Sequence, residues 1–71
     1  MSATRTRLPA EERRAQLLDV ARQCFTADGY GTTTADVADR AGVSQALVIK
    51  YFRTKEELYR AAVIEPLLVR L

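Results

Sequence analysis

Apolar side chains recur at helical spacing in four separate stretches of the chain. Leu17, Leu18, Ala21, Cys24 and Phe25 fall at i, i+1, i+4, i+7 and i+8, one face of an amphipathic helix. Pro9 suits the start of that helix, because its missing N–H costs nothing in a first turn, and Glu11 and Glu12 follow where the helix dipole favours acids. The first helix is expected over about 9–28, ended by Gly29 in a left-handed conformation. Thr33 and Asp36 have the spacing of a capping box, and Val37, Ala38 and Ala41 supply a short apolar face, so a second helix is expected over 34–41. Gly42-Val43-Ser44 then reads as a tight connection in which glycine turns, valine plugs the core and serine caps. A third helix over 45–52 places Leu47, Val48, Tyr51 and Phe52 on one side and Gln45, Ala46, Ile49 and Lys50 on the other. Thr54 and Glu57 form a second capping box ahead of a fourth helix over 55–71, with Leu58, Ala61, Ala62 and Ile64 as its buried stripe. Pro66 predicts a kink or an end near Glu65.

The fold class expected is therefore all-α. Thr32-Thr33-Thr34 is β-prone by propensity, but the glycines before it and the capping box within it favour a turn and a helix start. No internal repeat is present. Beyond Pro66, Leu67, Leu68, Val69 and Leu71 are too apolar for a free tail and call for a partner.

At 71 residues, 48% hydrophobic and 28% charged, the chain accounts for one small domain and leaves no room for a second, catalytic or ligand-binding one. With no histidine and a single cysteine, it cannot build a zinc site, a Cys-His or Ser-His pair, or an internal disulfide, so no metal or other cofactor is expected. No stretch approaches the ~18 apolar residues of a membrane span. Met1 to Arg7 leads into no signal-peptide core, and a cytoplasmic location is expected. The acids occupy caps and solvent faces without a gathered pocket, which argues against an enzyme.

Charge is unevenly spread. Arg40, Lys50, Arg53 and Lys55 are four cations with no acid between 40 and 55, the footprint of a polyanion-binding surface, although solvated charge runs of this size are common. Residues 1–8 read as a flexible basic arm. Two short helices joined by a glycine turn, the second bordered by cations, match a helix-turn-helix as well as a plain αα-hairpin. The sorting of the third helix tips the balance, since its non-core side carries an amide and an amine that can bond base edges or phosphates.

The run Gly29-Tyr30, Thr32-Thr33-Thr34, Asp36 to Ser44, Tyr51-Phe52 and Thr54-Lys55-Glu56-Glu57-Leu58 resembles the amino-terminal DNA-binding domain of the tetracycline-repressor (TetR) family. The resemblance covers residues from about 12 to 64 and matches turn, third helix and start of the fourth helix together. It implies a four-helix, homeodomain-like helix-turn-helix domain over 9–64, with the third helix in the DNA major groove. It implies further that 65–71 begin the connection to a carboxy-terminal dimerisation and ligand domain lying outside this chain. Family members are usually transcriptional repressors released from their operators by a small molecule. The implied partners are double-stranded DNA with a palindromic operator, a second copy of the protein, and an effector bound only by that other domain; the location when bound is the bacterial nucleoid.

Carried over residue by residue, Gln45 matches the position that reaches a base edge from the start of the third helix, against an exposed amide near a cap. Ser44 caps that helix beside it, and Ala46 offers a methyl group to a thymine or simply fills the helix. Lys50 and Tyr51 match positions at the far end that meet phosphate or a neighbouring base, with core packing the rival role for Tyr51. Thr33 and Thr34 match phosphate contacts, Thr33 also serving as a cap. Lys55 stands at a helix start, where a cation is unfavourable unless an anion arrives. Three features depart from the family pattern: Ile49 replaces the usual tyrosine, Leu47 the usual threonine, and the segment between Tyr30 and Thr33 is one residue shorter. Arg5 and Arg7 are the expected substitutes for those lost hydroxyls, reaching the minor groove from the arm. The rival expectation is a helical protein-interaction module that docks through its apolar carboxy-terminal end.

Overall fold

A computed structural model describes residues 9–70, so the basic arm with Arg5 and Arg7, and Leu71, lie outside the described residues. The described residues are all-α, in the order α1 (Ala10–Asp28), a 3₁₀ turn (Gly29–Gly31), α2 (Thr34–Ala41), α3 (Gln45–Tyr51), α4 (Lys55–Tyr59), a π turn (Arg60–Ile64) and α5 (Glu65–Arg70). The last three run on as one rod, the expected fourth helix.

The helix ends follow from backbone chemistry. Pro9 stands just outside α1 in an extended conformation, not in its first turn, and its carbonyl accepts from Arg13 N at 2.9 Å. Gly29 ends α1 with φ 75° and ψ −167°, which corrects the expected left-handed cap: the angle φ is positive, but ψ lies in a region essentially restricted to glycine. The Thr33–Asp36 capping box forms in both directions. Gly42 is left-handed (φ 76°, ψ 30°), its N–H donating to Asp39 O and that of Val43 to Ala38 O, a Schellman arrangement that satisfies the last carbonyls of α2 and turns Val43 onto the core. Ser44 Oγ accepts from Leu47 N at 3.1 Å and so starts α3.

The second capping box forms only by half. Thr54 Oγ1 accepts from Glu57 N, but the Glu57 carboxylate takes Arg53 N at 3.1 Å instead of the Thr54 amide. Of the kink or end expected near Glu65, the end is corrected. The rod neither ends nor breaks there; Glu65 N–H donates to Arg60 O, five residues back. Proline has no N–H to offer the carbonyl four residues before it and would crowd that carbonyl, and a wider turn relieves both problems. The wider turn also delays the inward register by one residue, so Pro66 is half-buried while Ile64, expected in the core, is exposed.

The core draws on every helix up to the π turn: Leu17, Ala21, Cys24 and Phe25 from α1, Val37 and Ala38 from α2, Val48 from α3, then Phe52, Leu58 and Ala62. Thr32 is the one buried polar residue among those described, and its hydroxyl donates to Cys24 O at 3.1 Å, tying the α1–α2 connection back to α1. Beside it Phe25, Tyr30 and Tyr59 meet in an aromatic cluster, with Tyr59 edge-on to both partners at 4.9 and 5.0 Å between ring centroids.

Candidate nucleic-acid interface

Helix α3 is short, and one side of it is spent on the core. Val48 and Phe52 are buried, while Leu47 and Tyr51 are half-buried. Gln45, Ala46, Ile49 and Lys50 are all exposed. At ~100° per residue these four positions cover a continuous arc of about 140°. The expected sorting is therefore present in the fold, with an amide at one end of the arc, an amine at the other and a methyl group and a butyl side chain between them.

The amino-terminal end of the arc is built from two helix starts. Gln45 Nε2 donates to Thr34 Oγ1 at 3.0 Å, so the first residue of α3 is bonded to the first residue of α2. Thr33, just before it, is exposed and keeps its hydroxyl oxygen on Asp36 N. Ser44 is exposed with its oxygen on Leu47 N. Both hydroxyls accept in their caps and keep a proton to donate elsewhere.

Lys55, at the start of α4, is held by the α1–α2 connection. Its Nζ donates to Tyr30 O at 2.6 Å and lies 4.1 Å from the centre of the Tyr30 ring. A cation at a helix start, read from sequence as awaiting an anion, is here compensated by a carbonyl dipole and an aromatic face. Two of its three N–H donors remain uncommitted to that carbonyl. The Tyr30 phenol is pushed above its ordinary range by desolvation and then by the charge and hydrogen bonding of Glu56, so it stays a neutral donor at ordinary pH.

At the opposite end of α3, Lys50 is exposed and Tyr51 is half-buried and packed against the core. Arg14 of α1, which drew no notice in the sequence, stacks its guanidinium 5.1 Å from the Phe52 ring centre and so braces α1 on the residue that ends α3. Arg14 stands 38 residues before Phe52, and no local spacing signals such a pairing. Among the described residues the one ion pair is Asp19–Arg22 on the far part of α1, so Arg14, Arg40, Lys50 and Arg53 have no carboxylate partner there. The arrangement thus brings Thr33, Thr34, Ser44 and Gln45 to the paired starts of α2 and α3, with Lys55 bonded separately to Tyr30 in the α1–α2 connection and Lys50 and Tyr51 at the other end of α3. No group of acids and cysteine among the described residues is placed to hold a metal, and no described helix is long and apolar enough to cross a membrane.

Comparison with known proteins bears on this arrangement directly. Residues 17–62 match the family described as bacterial regulatory proteins, tetR family. The chain is 48% identical over 56 residues to the HTH-type transcriptional activator FasR of Mycolicibacterium smegmatis, covering 78% of this chain and 26% of that protein. It is 40% identical over 58 residues to the HTH-type transcriptional regulator TtgR of Pseudomonas putida (80% and 28%), and 44% identical over 55 residues to the HTH-type transcriptional regulator LuxR of Vibrio harveyi (76% and 27%). The chain therefore spans about a quarter of the length of these relatives. No solved structure matches it. The family match takes in α2, the glycine turn, α3 and α4 at their observed spacing, and on that ground the chain belongs to the tetR family of bacterial regulatory proteins, a family of transcriptional regulators and not of enzymes.

Proposed function

We propose that this chain reads duplex DNA in a sequence-specific manner, with α3 in the major groove and α1 and α4 as the frame that holds it there. The single observation that carries the reading is the exposed arc of α3, which presents Gln45 and Lys50 to solvent at its two ends while Val48 and Phe52 anchor its back. Gln45 supplies a base-edge contact, Ala46 a methyl contact, and Thr33, Thr34, Ser44, Lys50, Tyr51 and Lys55 face the phosphates. One such helix spans only a few base pairs, so the working protein is a two-fold dimer on a palindromic operator. Occupying a promoter blocks it without any further contact, and repression is accordingly the proposed mode, although one relative carries the name of an activator. Residues 65–71 lead into a dimerising domain that also takes the effector. The protein works where the DNA is, in the cytoplasm.

Affinity for a selected duplex, titrated against salt, tests this reading. Each phosphate contact contributes about 0.9 to the slope of log K against log salt. Lys50→Ala, which breaks no hydrogen bond or ion pair among the described residues, should lower the slope by about that amount and weaken every sequence alike, whereas Gln45→Ala should cost about 1–3 kcal/mol at one base position. Affinity for duplexes that ignores salt would sink the proposal. A second reading is favoured by the exposure of Leu67 (60%), Leu68 (60%) and Val69 (83%): a module that docks on another protein by its apolar end. That reading expects Leu68→Asp to abolish function while Lys50→Glu with Lys55→Glu is silent, the reverse of the first.

A further inference from the structure

The hydrogen bond between Gln45 and Thr34 limits what Gln45 can offer to a base. A carboxamide has two N–H donors on one side and an acceptor oxygen on the other. With Nε2 donating to Thr34 Oγ1 at 3.0 Å, one N–H and Oε1 are left. In the major groove adenine presents an acceptor at N7 and a donor at N6, whereas guanine presents two acceptors, N7 and O6. One donor with one acceptor satisfies adenine. Guanine needs both N–H groups of the amide, and one of them is already taken.

Thr34 is well placed to impose this choice. It is half-buried in the first turn of α2, that helix is fixed at its start by the Thr33–Asp36 box, and the Gly42 turn fixes α2 against α3. We propose that Thr34 is a specificity-determining residue that acts through Gln45, orienting its amide so that the start of α3 accepts adenine and rejects guanine at one base position. The proposal rests on the reading of Gln45 as a base contact. It leaves the Thr34 hydroxyl proton available to a phosphate oxygen, so one side chain serves backbone and base together.

The test uses the protein with a randomised duplex library, followed by affinities for paired duplexes that differ by adenine or guanine at the position Gln45 reads. The wild-type chain should prefer adenine by about tenfold or more, within the range of a good bidentate contact. Gln45→Ala should abolish the preference. Thr34→Val, equal in volume but without the hydroxyl, should cut it to about threefold or less, since the freed amide can aim both N–H groups at guanine. Thr34→Ser should retain it, and Thr34→Ala repeats the measurement should the valine variant fold poorly by circular dichroism. If Gln45→Ala abolishes the preference and neither Thr34→Val nor Thr34→Ala reduces it, the role of Thr34 is wrong while Gln45 stands as the reader. If Gln45→Ala changes no base position, or the position it governs prefers guanine, both statements fall.

Discussion

Gly42→Ala separates backbone strain from packing in the turn that aims α3. Gly42 holds φ 76° and ψ 30°, and a Cβ built there meets nothing within 4 Å. Steric exclusion therefore contributes nothing, and the cost is that of an L-residue in the left-handed region, about 1–2 kcal/mol. Alanine also narrows the unfolded ensemble, which offsets about 0.4–1 kcal/mol. The expected net loss is about 1 kcal/mol, or about 5 °C in Tm for a domain of this size, read by thermal unfolding with far-UV circular dichroism. Gly42→Asn should lose only a few tenths of that, roughly, because asparagine visits the left-handed region readily. Gly29 is the internal control. Its ψ of −167° lies where asparagine has no such tolerance, so Gly29→Ala and Gly29→Asn should be similarly destabilising, by about 1–3 kcal/mol. A Gly42→Asn variant as unstable as Gly42→Ala, or a Gly42→Ala loss above about 3 kcal/mol, would refute the attribution to backbone conformation alone.

Two further outcomes follow from buried groups. Thr32→Val removes the hydroxyl that bonds Cys24 O while keeping the side-chain volume, and urea unfolding should show a loss of about 1 kcal/mol; an unchanged midpoint would mean that the bond adds nothing over solvation. Burial pushes the Cys24 thiol above its ordinary value of 9.0, with Arg40 pulling against it and Asp28 and Asp36 adding to it. The unfolded thiol ionises first, so its contribution is complete below pH 9.0 and is lost as pH rises toward the folded value. Stability measured across that interval should fall more steeply for the wild type than for Cys24→Ala, and equal slopes would show that Cys24 is not responsible.

The capping box at Thr33, the cap at Ser44 and the turn at Gly42 are local: each needs only a few residues at fixed spacing, and each forms where the spacing puts it. Thr54 and Glu57 have the same spacing as Thr33 and Asp36, yet the longer carboxylate reaches one amide further, to Arg53. Ile64 continues the 3.6-residue stripe on paper, but the turn that accommodates Pro66 carries it out to solvent. Among the candidate site residues, exposure of Gln45, Ala46 and Lys50 was legible from the period of α3, because the apolar face fixes the other one. The partners of Gln45, Lys55 and Arg14 were not, since they lie 11, 25 and 38 positions away.

Periodicity, caps and glycine placement were enough to determine four helical stretches, their order and the face of α3 that turns to water, because each depends on interactions within about two turns of chain. Only the tertiary fold decided that Thr34 meets Gln45, that Lys55 sits on Tyr30 and that Arg14 braces Phe52. Those contacts join residues whose separation along the chain carries no information about their separation in space until the shared core has closed.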